Sequence, residues 1–191
     1  RSGVAARAST GIEIEVTGRS SHASEPHNGL SPIPVLANVA QKIDQLSTGI
    51  SEPEATSPAL ITLVHMTIGK PGDFGVLPAI GTLGATLRAD NTRTLNKLVA
   101  SLVDLVHEEA RRPEANDDNG YHIQYKLVEP FDATVNSDFG FSVVKKAVSS
   151  LSTNQYRVYQ EDGGASHVSL DLTIAPKPFP WSEDFGAFTA A

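Results

Sequence analysis

Between residues 12 and 128 the spacing of apolar residues switches from a period of two to a helical period and back, twice over. Few folds accommodate that order. Ile12, Ile14 and Val16 alternate with Glu13, Glu15 and Thr17, which predicts a strand with one wet face. Ser31-Pro32 then opens a helix, serine as N-cap and proline at the first helical position, with Val35, Leu36, Val39, Ile43 and Leu46 on one side. Thr48-Gly49 ends that helix, and a polar, proline-bearing loop follows from Ile50 to Pro58. Two β-rich runs, Ala59 to Gly69 and Ile80 to Ala89, flank a Gly/Pro loop from Lys70 to Pro78. Asp90 or Asn91 caps a second helix with the stripe Leu95, Leu98, Leu102, Leu105 and Val106, ending at Arg111-Arg112-Pro113. A last strand runs from Tyr121 to Val128. The order β-α-β-β-α-β predicts an α+β, ferredoxin-like domain over residues 10–130, a four-stranded antiparallel sheet with two helices on one face.

Residues 131–191 follow a different pattern. Val135 to Ser150 predicts a helix with Asn136 or Ser137 near its cap, Tyr156 to Gln160 a short strand, and Glu161 to Ser166 a loop. Pro176 to Pro180 is expected to be extended, and Ser182-Glu183-Asp184-Phe185 to open a helix with acids in its first turn. About sixty such residues do not readily make a core of their own, so they are expected to be the edge of another, partial α/β domain. The abrupt start at Arg1-Ser2-Gly3-Val4 and the stop at Phe188-Thr189-Ala190-Ala191 predict a piece of a longer protein.

Composition excludes several classes. A net charge of -7 leaves nothing to neutralise a row of phosphates, so no nucleic-acid partner is expected. The basic pairs Arg111-Arg112 and Lys145-Lys146 are expected near helix ends or on solvated faces. No apolar run is long enough to span a bilayer and no signal-peptide core opens the chain, so no membrane partner is expected. The absence of cysteine removes disulfides, thiolate zinc sites and cysteine nucleophiles, and fits a cytoplasmic location.

The segment Gly18-Arg19-Ser20-Ser21-His22-Ala23-Ser24-Glu25-Pro26 sets a histidine in a turn of small residues at a strand-to-helix corner. An imidazole there is uncrowded and can stabilise an oxyanion in a tetrahedral intermediate. Arg88 interrupts the apolar alternation of its run, and its planar fork suits a substrate carboxylate; the structural alternative is a strand-end arginine facing water or pairing with Asp90.

Three motifs together resemble the M20 family of metal-dependent amidohydrolases and peptidases. The first is Gly18 to Pro32. The second is Phe74-Gly75-Val76-Leu77-Pro78 with Ala85-Thr86-Leu87-Arg88-Ala89, and the third is Pro178 to Gly186, centred on Ser182-Glu183-Asp184-Phe185. The resemblance implies that residues 10–130 are a lid, or dimerisation, domain inserted into a zinc-binding catalytic domain, and that residues 131–191 begin the returning catalytic segment. It implies a homodimer through the lid, and a substrate among N-acyl amino acids, small peptides or related amides. His22 would be the catalytic residue, stabilising the oxyanion in the partner subunit's active site, and Arg88 would bind a substrate carboxylate. Gly75 stands where many relatives have asparagine, so it would offer substrate only its backbone N–H. Glu183 and Asp184 would lie near the active site. The intact enzyme would use two divalent metal ions, expected to be zinc. The H-x-D and Glu-Glu pairs that the family carries before the lid do not occur here, so no metal site and no activity are expected of this chain alone.

His27, His65, His107, His122 and His167 show no ligand spacing and are expected in surface or packing roles. Ser166-His167 lacks the G-x-S-x-G setting of a hydrolase nucleophile. The glycines from Gly69 to Gly75 are turn residues, with no lysine and no helix placed for a phosphate. The rival from another class is a non-catalytic ferredoxin-like binding or dimerisation module. A His22 packed inside its own domain would favour that rival, and an exposed His22 the enzyme.

Overall fold

A strand whose inward residues are Ile12, Ile14 and Val16 needs apolar cover on one face only, and two amphipathic helices supply it. The computed structural model describes residues 3–50, 59–111, 120–152, 156–159 and 165–168. Strands β1 (Gly3–Ala6), β2 (Ala8–Thr17) and β3 (Ser21–His22) precede helix α1 (Ile33–Ile50). Strands β4 (Leu60–Ile68), β5 (Val76–Leu77) and β6 (Ile80–Ala89) lead to α2 (Thr92–Ala110), then β7 (His122–Phe131) and β8 (Thr134–Asn136). Helix α3 (Asp138–Ser152) and strands β9 (Tyr156–Tyr159) and β10 (Ala165–Val168) follow.

The main sheet has the order β4-β6-β2-β7, every neighbour antiparallel, which is the expected split-βαβ arrangement. Helix α1 lies on β4 and β6, α2 on β6 and β2, and the helices touch each other. Ile12, Ile14 and Val16 of β2 and Leu83, Ala85 and Leu87 of β6 are buried with Val35, Leu36 and Val39 of α1 and Leu98 and Leu102 of α2. Each such buried Val, Leu or Ile side chain contributes about 1.5–3 kcal/mol relative to exposure. Opposite the helices the register sets Glu13 against Lys126 and Glu15 against Gln124, and both pairs close, at 3.1 and 2.7 Å.

Both helix starts follow their cap chemistry. Ser31 Oγ accepts from the Ile33 N–H at 3.3 Å, and Asn91 rather than Asp90 caps α2, its side chain accepting from the Thr94 N–H at 2.7 Å. Buried Glu109 of α2 takes a 2.7 Å hydrogen bond from Asn38 and an ion pair from Lys42, both on α1, so a polar brace crosses the helix pair. No helix among the described residues is long and apolar enough to cross a membrane.

Four expectations need correction. The loop from Lys70 to Pro78 contains β5, a strand too short for any period to reveal. Strand β7 runs past Val128 through Pro130 to Phe131, because at the sheet edge proline sacrifices no ladder bond and a bulge opposite Ser9/Gly11 absorbs the irregularity. The third helix begins at Asp138, with Ser137 Oγ accepting from the Gly140 N–H at 3.0 Å; Val135 is instead in β8, paired with Val4 of β1. Ala165 and Ser166 belong to β10, which pairs with β9, rather than to a loop. Arg111 is the C-cap of α2, and Lys145 and Lys146 are exposed on α3.

Candidate active site

The turn after β2 is clipped at its neck. Arg19 and Leu30 exchange backbone hydrogen bonds of 2.9 and 2.7 Å, and the Gly18 N–H donates to the Ala79 carbonyl at 2.7 Å. A Cβ on Gly18 would collide with the Leu30 carbonyl, so only glycine lets the strands of the neck approach this closely. Arg19 Nε donates to the Asn28 carbonyl at 3.1 Å and Asn28 Nδ2 to Glu25 Oε2 at 3.1 Å, which stiffens the rest of the loop. A 3-10 turn over Pro26–Asn28 carries His27, exposed, away from the neck.

Out of this loop β3 pairs antiparallel with β5, Ser21 opposite Leu77 and His22 opposite Val76, and the Ala23 N–H donates to the Gly75 carbonyl at 3.0 Å. Two motifs more than fifty residues apart in sequence thus meet in one ribbon. His22 is exposed on it. Its Nδ1 accepts from the Ser24 N–H at 3.2 Å and lies 2.7 Å from Ser24 Oγ, whereas Nε2 has no hydrogen-bond partner among the described residues. Sequence reasoning credited Ser24 only with leaving room for the ring. A serine two residues past a turn histidine is the signal that could have marked it.

Gly75 uses its carbonyl to hold the His22 turn. A Cβ built there meets nothing within 4 Å and its φ is not left-handed, so glycine is not sterically required. We expect Gly75→Asn to fold with stability within about 0.5 kcal/mol of the parent by urea denaturation. A loss of several kcal/mol would mean that the ribbon needs glycine after all. In contrast, the loop before it does use glycine conformations, at Gly69 (φ 67°) and Gly72 (φ 89°).

Arg88 lies elsewhere. It sits near the end of β6, on the face away from the helices, paired with Ser9 and Leu60, while β5 and His22 lie before the start of that strand. The eight residue steps of β6 from Ile80 to Arg88 span about 25 Å, and the His22 ribbon joins the strand at its Ile80 end. Beside Arg88, Arg7 and Asp90 flank the terminal β2–β6 pair, Ala8 and Ala89, and form an ion pair, Nε to Oδ1 3.1 Å, with side chains 9% exposed. Burial lowers the Arg7 pKa from its ordinary value, Asp90 opposes this, and the Arg88 charge adds to the lowering.

Of the other histidines, His65 lies on β4 with its ring against the Gly84 backbone, and His107 and His122 are exposed. Ser166 and His167 are consecutive residues of β10. Among the described residues no three His, Asp or Glu side chains gather closely enough to hold a metal ion. Glu183 and Asp184 lie outside the described residues.

Residues 4–114 match the family model of the peptidase dimerisation domain of M20 enzymes. The chain belongs to that family. Its fold is similar to that of a protein described as an aminohydrolase from methicillin resistant Staphylococcus aureus, with TM-score 0.72, 17% identity, and coverage of 99% of this chain and 42% of the other. An aminobenzoyl-glutamate utilization protein from Klebsiella pneumoniae gives TM-score 0.67 at 15% identity, over 98% of this chain and 41% of that one. An amidase of the hydantoinase/carbamoylase family from Burkholderia vietnamiensis gives 0.56 at 17%, over 76% and 33%. This M20-type chain therefore spans less than half the length of these solved proteins.

Proposed function

We propose that this M20 dimerisation domain is the lid of a metal-dependent amidohydrolase that cleaves amide bonds of N-acyl amino acids or small peptides. In this reading residues 10–130 form the lid and residues 131–191 return to the catalytic domain of a cytoplasmic enzyme. The two divalent ions, zinc by expectation, would take ligands that the described residues do not supply, and would activate the water that attacks the amide. Two steps fall to this chain. His22 donates a hydrogen bond from Nε2 to the oxyanion that forms when the amide carbonyl is attacked. Arg88 holds a carboxylate of the substrate in a two-pronged contact.

The observation that carries this reading is the separation of His22 from Arg88. One substrate of this size cannot touch both in a single chain, but a two-fold dimer can bring His22 of one chain to Arg88 of the other. Exposure of His22 also favours the enzyme over a non-catalytic module.

The edges of the sheet suggest how the dimer forms. The β7 edge carries Lys126, Glu129 and Pro130, residues that block strand addition. The β4 edge, Leu60–Ile68, has neither proline nor formal charge and exposes Leu60, Val64 and Met66 at 45, 62 and 43%. A second copy of the chain docking along β4 would cover them.

Mixed dimers test the reading. In the enzyme that carries this chain, His22→Ala and Arg88→Ala should each be nearly inactive. Equal mixing with subunit exchange should restore about a quarter of wild-type activity, since half the dimers are mixed and one of their two sites is intact. No recovery would mean that the two residues do not serve one site across the dimer.

A further inference from the structure

We propose that Ser24 is a positioning residue that sets the tautomer of His22, so that Nε2 carries the ring proton and faces outward. A backbone N–H can only donate, and that of Ser24 lies 3.2 Å from Nδ1. That donor favours a lone pair on Nδ1, which in a neutral imidazole puts the one proton on Nε2, but at 3.2 Å it is the longer of the two Ser24 contacts and does not fix the tautomer by itself. Ser24 Oγ, 2.7 Å from Nδ1, is the shorter contact, and with the backbone N–H already donating to Nδ1 the hydroxyl donates there too and supplies the larger share of the bias. The alternative tautomer would set an Nδ1–H against the Ser24 N–H.

The turn itself enforces the arrangement. The Glu25 N–H donates to the His22 carbonyl at 2.9 Å and the Ala23 N–H to Gly75 at 3.0 Å, so Ser24 is held over the ring edge from both sides. The exposed tip of His22 is then a donor rather than a base or a metal ligand, which is the polarity an oxyanion requires. The catalytic consequence rests on the role proposed for His22; the tautomer does not.

The test is long-range 1H–15N correlation on the 15N-labelled chain at about pH 8.5, where an ordinary imidazole is neutral. The His22 signals are assigned by their loss in His22→Gln. We expect a single Nε2–H pattern, a mixture of tautomers in Ser24→Ala, and recovery of the single pattern in Ser24→Thr. In the active enzyme Ser24→Ala should lower kcat about tenfold with KM far less affected, and Ser24→Thr should restore it. An Nδ1–H pattern in the parent chain, or a pattern that Ser24→Ala does not move, would overturn the proposal. A tautomer released by Ser24→Ala while His22→Ala keeps full kcat would leave the positioning in place and overturn the catalytic role of His22.

Discussion

Replacing His22 by alanine in the enzyme that carries this chain is expected to lower kcat by about 10²-fold or more, with KM changing far less. The asymmetry follows from geometry. The ring is exposed on a two-stranded ribbon, Nδ1 is occupied by Ser24, and Nε2 is open. A donor so placed interacts weakly with a neutral carbonyl and strongly with the charge that replaces it, so its loss raises the barrier without weakening substrate binding. Steady-state kinetics over a range of substrate concentrations separates the two effects. A rise in KM at constant kcat would make His22 a binding residue, and no change in either would remove it from the site. Because His22 packs against nothing in the core, circular dichroism and melting temperature of the variant should match the parent.

Asp90→Ala is expected to destabilise the chain by about 3–5 kcal/mol, because it removes the carboxylate that meets the buried Arg7 guanidinium. The cost comes from desolvation: the pair meets at 3.1 Å with both side chains 9% exposed, and the Arg88 charge nearby adds to it. Urea denaturation of the parent, Asp90→Ala, Arg7→Met and the double variant Arg7→Met/Asp90→Leu measures it. The double variant should recover most of the loss, since apolar side chains of similar size often replace a buried pair at little cost. A single variant within 1 kcal/mol of the parent would show that water reaches the pair and that it does not hold the end of the β2–β6 ladder.

Much of the fold was legible in the chain because its signals are local and long. Strand β6 occupies Ile80–Ala89, as its composition suggests, and the α2 stripe from Leu95 to Val106 is buried as its spacing requires. Ser31 and Asn91 cap their helices through short-range chemistry that a sequence displays directly. Two of the errors fall where pairing is distant and short. Val76–Leu77 and Thr134–Asn136 are strands only because β3 and β1 lie beside them, and two or three residues carry no period. For the site, the residue types and order of Gly18 to Pro32 pointed to His22, and the family resemblance to Arg88 and Gly75. Nothing in that order showed that Gly75 supports His22 through its carbonyl, or that Ser24 occupies Nδ1.

The sequence by itself determined the element order, the buried face of each element, and the histidine offered at a strand-to-helix corner. Those properties follow from periodicity, capping and steric limits that act over a few residues. Only the tertiary structure decided which elements became edges, that two distant motifs share one ribbon, and that His22 and Arg88 stand at opposite ends of β6. Those properties depend on register between strands far apart in the chain, and register is chosen by the whole packed sheet rather than by any segment of it.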